Sequence, residues 1–256
     1  MKHAMGLALL LAGCAQRTVG TIERMPQTGQ EWRTVSDQSP NAFAPRLYVA
    51  YDSINRKDWE EFDRLSLELE KRIEGREDLT APLGALLLAG AQSAPKPQNA
   101  SYLEKSRDLL ERAAKQERVE SATLFNLGLV RALMGDYVLA TQPLQSYVEQ
   151  KPSDTAAIKL YVRCLIEKGE PSAALTWIEK APELAGTPEL MEIKAHCYYM
   201  MGQHERAIRS YQAALQSQPE NARLWHNLAL CYEENRQRDL ARECFAKAEA
   251  LRKKRD

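Results

Sequence analysis

The chain has 256 residues, 44% of them hydrophobic and 27% charged, a balance that suits a folded body and excludes a disordered one. Lys plus Arg equals Asp plus Glu at 35 each, so no overall field favours nucleic acid or an anionic membrane surface. Aromatics make up only 7% and there are 12 glycines, which fits a helical array, and no stretch approaches the roughly 20 apolar residues of a membrane span.

The first residues stand apart from the rest. Met1-Lys2-His3 supplies a positive start, Ala4 to Ala12 a short apolar run, and Leu11-Ala12-Gly13-Cys14 closes it. That order is a secretory signal in form. The last four residues resemble the bacterial lipobox, which implies a signal peptide over residues 1–13 and a lipidated (palmitate-bearing) Cys14 as the first mature residue. Ala15 in place of aspartate after it implies sorting to the outer membrane of a Gram-negative cell, facing the periplasm. From Ala15 to Ala42 the composition turns to Gln, Thr, Ser, Gly and Pro without a sustained apolar period. Residues 14–42 are therefore expected to be the lipidated end and a flexible tether, spanning about 30 Å as a coil. Trp32 within it is either a packing residue or an interfacial contact.

Helical periodicity begins weakly. Pro45 to Arg56 and Asp58 to Arg72 read as a helix pair around Ala50, with Lys57-Asp58-Trp59 at the turn. Leu79 to Ala91 and Ser101 to Lys115 form a second pair, joined through Gln92 to Ala100, where Pro95 and Pro97 stop helices. This longer connection is a candidate contact loop or a plain insertion. Residues 43–120 are thus expected to hold two degenerate pairs.

Residues 121–256 are expected to hold four clearer ones. The first runs from Ser121 through Leu124, Leu127 and Gly128, turns at Gly135-Asp136-Tyr137, and continues through Ala140, Pro143 and Leu144 to Pro152. The next, from Thr155, carries Tyr161, Leu165, Gly169, Ala174, Ile178 and Ala181, and closes through Pro182 to Thr187. From Pro188 to Arg255 one pattern is written twice: Ala195 and Ala229, Tyr198 and Tyr232, Ala207 and Ala241, Tyr211 and Phe245, and Ala214 and Ala248 each lie 34 residues apart. A fixed period of this length is the mark of stacked helical repeats. The alanines fall where helices must approach closely and the aromatics where gaps between layers must be filled. The final helix ends in Arg252, Lys253, Lys254 and Arg255, a basic run that suits the helix dipole.

These residues resemble the tetratricopeptide repeat. The last copy has Trp225, Leu228, Ala229, Tyr232, Ala241, Phe245 and Ala248; the copy before it has Ala195, Tyr198, Gly202, Ala207, Tyr211, Ala214 and Pro219. It departs at Lys194, where the family prefers a leucine-like residue, and Ile193 is the candidate to replace it. The resemblance implies an all-α fold: a right-handed α-solenoid of six antiparallel helix pairs, with the terminal pairs as caps.

Catalytic and cofactor motifs do not emerge. The sequence has no Gly-rich phosphate loop, no His-Glu zinc-protease motif and no CxxC pair, so neither enzyme activity, a cofactor nor a small-molecule substrate is expected. His196 and His226 with Glu192 and Glu233 are set down as groove residues, a metal site being the rival reading. Cys164, Cys197 and Cys231 occupy one place in successive repeats and read as small buried residues. A bridge between Cys231 and Cys244 stays open.

Matching the first helix of each repeat to the family pattern places Phe125, Leu129 and Leu133 on a concave surface, then Lys159, Arg163 and Ile166. Glu192, His196, Tyr199 and Met200 follow, and then His226, Leu230 and Glu233. Such a surface suits an extended segment of a protein partner. A lipoprotein signal, a tether and six helix pairs resemble the pilotins of type IV or Flp-type pilus systems, which implies a secretin as partner. The runner-up is an adaptor for outer-membrane protein assembly or cell-wall hydrolases.

Overall fold

The computed structural model describes residues 28–39, 42–181 and 187–254, and Cys14 lies outside them. The chain divides into two compact units, Met1–Tyr147 and Val148–Asp256. Residue 121, read from sequence as a boundary, opens a helix inside the first unit.

The first surprise lies in the expected tether. Gly29–Gln38 is an α-helix (α1) packed on the next one. It starts where Thr28 Oγ1 accepts the Glu31 N–H while the Glu31 carboxylate accepts the Thr28 N–H, a reciprocal cap that satisfies two otherwise free donors. Trp32 is buried and stacks on Tyr48 with ring centroids 4.0 Å apart. The flexible tether therefore does not extend to residue 42, because this helix has an apolar anchor and a place to put it.

The pairs follow. Phe43–Arg56 (α2) and Trp59–Arg72 (α3) form the first, and Thr80–Ser93 (α4) and Gln98–Ala113 (α5) the second. A short 3₁₀ turn, Glu77–Leu79, leads into α4. Ser121–Leu133 (α6) precedes Tyr137–Gln150 (α7), the helix within which the units divide. Close contact between α6 and α7 depends on Gly128, where an added Cβ would sit 2.4 Å from Leu144. The second unit continues with Thr155–Glu167 (α8) and Pro171–Glu179 (α9), then Pro188–Met200 (α10) and His204–Ser217 (α11), and finally Ala222–Glu234 (α12) and Arg238–Lys253 (α13). Consecutive helices joined by such short turns must run antiparallel.

One turn recurs between the helices of every pair except the second. Lys57, Gly135, Gly169, Gly202 and Arg236 all take positive φ, and the next residue's N–H reaches back to the carbonyls of Ser53, Arg131, Leu165, Tyr198 and Tyr232. This is the left-handed helix stop that satisfies otherwise free carbonyls. The second pair lacks it and connects through Ala94–Pro97 instead.

The aligned residues lie where close packing needs them. Ala195, Ala207, Ala214 and Ala229 are fully enclosed, Ala241 and Ala248 nearly so, and Tyr211 is buried between layers. Lys194 sits with its ammonium 5.9 Å from the Tyr198 ring, while Leu190 and not Ile193 takes the fully buried place.

Candidate protein-interaction surface

The expected surface is carried by α8, α10 and α12 in the second unit, and each is started by chemistry visible in the chain. Asp154 accepts the N–H groups of Ala156 and Ala157, and Asn221 those of Arg223 and Leu224, which is the side-chain capping these residue types favour. Pro188 opens α10, where its missing N–H costs nothing. Each helix then buries an inner stripe: Tyr161, Cys164 and Leu165 on α8, Leu190, Ala195 and Cys197 on α10, and Leu228, Ala229 and Cys231 on α12.

The cysteines are part of that stripe. Cys164, Cys197, Cys231 and Cys244 are all free and buried, so the open question of a Cys231–Cys244 bridge is answered by two thiols. Burial pushes the Cys197 thiol up to about 11 and the Cys231 thiol up to about 12. Thiols held protonated in this way are packing groups and poor nucleophiles.

The opposite stripe of these helices faces solvent, and the expected residues fall on it unevenly. Arg163, His196, Met200 and Glu233 are exposed; Tyr199, His226 and Leu230 are half-buried. Ile166 is a correction, since it is buried with the inner stripe of α8 beside the Gly169 turn and cannot face a partner. Lys159 and Glu192 are half-buried and engaged within the array: the Lys159 ammonium lies 2.6 Å from Glu189, and Arg223 lies 3.0 Å from Glu192. Each pair joins the first helix of one repeat to the first helix of the next. Surface pairs of this kind contribute about 0–1 kcal/mol, so their effect is to fix how neighbours are aligned more than to stabilise them.

An aromatic centre remains. The Tyr199 ring has His196 stacked at 6.5 Å on one side and His204 edge-on at 5.9 Å. Burial raises the Tyr199 phenol, with further upward pressure from the charges of Glu234 and Glu233. The α10 aromatic and the acidic end of α12 therefore share one electrostatic environment. His226 leans on Phe245 of its own pair, with centroids 5.3 Å apart. Among the described residues no group of three His, Cys, Asp or Glu side chains could hold a metal ion.

Phe125, Leu129 and Leu133 lie on α6 in the first unit. Phe125 packs on Tyr147 with centroids 5.1 Å apart, Leu129 packs on a buried cluster that includes Leu110 and Leu127, and Leu133 is exposed. Near Leu133 in sequence, Val138 and Leu139 are 60% and 56% exposed, an apolar tip that the expected surface did not include. A comparison of repeats would have found it: the positions matching Val138 are Ser172, Glu205 and Asp239.

Comparison with known proteins places the repeats. Residues 131–197 and 222–255 match families described as tetratricopeptide repeat, and residues 195–235 match one described as TPR repeat. Solved structures of MamA share the fold. MamA MSR-1 C2 is 16% identical with a TM-score of 0.58, covering 71% of this chain and 99% of that one. MamA 41-end from Desulfovibrio magneticus RS-1 is 20% identical with a TM-score of 0.58, covering 68% and 97%. No curated protein matches the sequence. Residues 131–255 are thus built of tetratricopeptide repeats, and the all-α architecture of helix pairs is that of a repeat array.

Proposed function

We propose that this tetratricopeptide-repeat chain is a non-catalytic scaffold, anchored by lipid at Cys14 to the periplasmic face of an outer membrane, that holds a protein partner on the free faces of α8, α10 and α12. The observation that carries this reading is the contrast within those helices: the inner stripe is fully packed, while Arg163, His196 and Met200 are exposed on the outer stripe around the half-buried Tyr199. Aromatic and arginine side chains on a rigid platform are the usual anchors of binding energy. The anchor is supported by the order of charge, apolar run and Leu11-Ala12-Gly13-Cys14. In pilotin-like action the partner is a secretin, and the scaffold assists its assembly.

Two variants test the reading. Cys14→Ser should lose acyl labelling and membrane fractionation while keeping its helical circular dichroism; unchanged membrane association rules out the lipid anchor. An Arg163→Ala, Tyr199→Ala double variant should fold and fractionate normally yet fail to support secretin multimers on gels. Normal multimers together with loss of a different envelope partner transfers the role to another assembly pathway.

A further inference from the structure

Helix α1 stands outside the helix pairs, and its attachment differs in kind from theirs. Only Trp32 and Ser36 of its ten residues are buried, and the Ser36 hydroxyl finds no partner. By contrast α2 buries eight of its residues. A helix this short does not persist in water by itself, so what holds it on α2 decides whether it is there.

That hold joins the buried Trp32 to a set of charges. Arg33 gives both arms of its guanidinium to Glu61 at the start of α3, at 2.8 and 2.6 Å, and lies 3.7 Å from Asp52 of α2. Arg56 donates to the same Glu61 carboxylate and to Asp52 at 2.9 Å. The acidic pair is therefore arranged by the first helix pair itself, and Arg33 enters as a second cation. Forked arginine–carboxylate contacts are geometrically selective, but at a partly exposed site they are weakened by salt. The remaining contacts are equally specific. Trp32 lies parallel to Tyr48 within 1°. Gly29 faces Asp52 so closely that a Cβ there would come within 2.2 Å of the Asp52 carboxylate.

We propose that α1 is a releasable cap, latched by charge, over a helix-docking face of α2, and that the ligand taken in its place is an amphipathic helix with the same pattern. That pattern is a small residue, two positions of any kind, an aromatic residue and then an arginine. The small residue clears Asp52, the aromatic covers Tyr48, and the arginine completes the site prepared by Arg56, Asp52 and Glu61. Release of α1 withdraws Trp32 from the core of the first two pairs, which keeps Leu47, Phe62, Leu83 and Leu86.

The test uses the full chain carrying Trp32→Ala and Arg33→Ala, with a fluorescent end-capped peptide of residues 28–39 as probe and the same peptide with Arg33→Ala as control. The double variant should bind the native peptide at least about tenfold tighter than the control. The wild-type chain, whose own α1 competes, should bind the native peptide at least about tenfold more weakly than the double variant does. A folded variant that does not distinguish the peptides overturns the proposal. Hydrogen exchange on the wild-type chain gives a second reading that needs no variant. Raising salt from about 0.05 to about 0.5 M, which shortens electrostatic reach severalfold, should speed exchange of the α1 amides several-fold and leave α2 to α5 unchanged. Exchange of α1 in step with α2 to α5 at both salt concentrations overturns it as well.

Discussion

Helices α4 and α10 are both first members of their pairs, yet they do opposite things with their surfaces. On α4 the run Pro82 to Leu88 is buried without interruption, and Gly84 and Gly90 lie so close to Leu110 and Phe62 that a Cβ at either would meet those side chains at 2.8 and 2.6 Å. A helix apolar all round is a core element. On α10 only Leu190, Ala195 and Cys197 are buried, and Lys194, His196, Tyr199 and Met200 line the rest. The same helix-pair plan therefore yields a fully covered helix in the first unit and a largely uncovered one in the second. Residue choice on the outer stripe, and not the helix pairing, makes the difference.

The sharpest way to break that contrast is truncation. Leu86→Ala removes a fully enclosed side chain and should cost about 2–5 kcal/mol in urea unfolding, whereas Met200→Ala should stay within about 0.5 kcal/mol of wild type. Equal losses would mean that α10 is as much core as α4. Within the second unit, Ala229 is enclosed at a helix crossing, and Ala229→Leu should cost about 1–3 kcal/mol by overpacking. A midpoint unchanged from wild type would move Ala229 away from the crossing.

Acid separates the units more gently. Hydrogen bonds from Arg33, then Arg56, overcome a partial burial cost and hold the Glu61 carboxyl down to about 2 from 4.5. A depressed carboxyl contributes stability that is complete above its unfolded value and disappears as pH falls through the folded one. The first unit should thus lose this contribution between about pH 5 and pH 2, and Glu61→Gln should remove that dependence. An identical acid profile in the variant would remove Glu61 from the account. The smallest effect is at the last turn, where Arg236 takes φ of 62° in a position that Gly135, Gly169 and Gly202 fill elsewhere. Arg236→Gly should stabilise by up to about 1 kcal/mol, since a side chain there is strained; calorimetry showing a lower melting temperature would contradict this.

Much of this was legible in the chain because repetition amplifies weak signals. Ala195 with Ala229 and Tyr211 with Phe245 are ordinary residues singly, and only the shared spacing marks them as crossing and gap-filling positions. The Lys57 turn was found without glycine because Asp58 and Trp59 follow it, although its left-handed backbone is visible only in the structure. Helix α1 was missed for a different reason. Its ten residues are mostly polar, so periodicity is faint, but Thr28 followed by Glu31 is a capping signal that precedes Trp32 and was there to be read. Ile166 falls inward because it continues the buried i, i+4 row of Ile158 and Val162. Lys159 and Glu192 match the surface positions of the pattern, while their partners, Glu189 and Arg223, lie a whole repeat away and are visible only in the structure.

The central claim is that the outer stripe of α8 and α10 binds a protein, and one measurement addresses it directly. Envelope proteins would be captured on wild-type chain and on the Arg163→Ala, Tyr199→Ala variant, after circular dichroism and melting show that both are folded. The account predicts at least one partner retained by wild type and lost, by at least about tenfold, from the variant. Capture of the same partners in the same amounts by both proteins would contradict it.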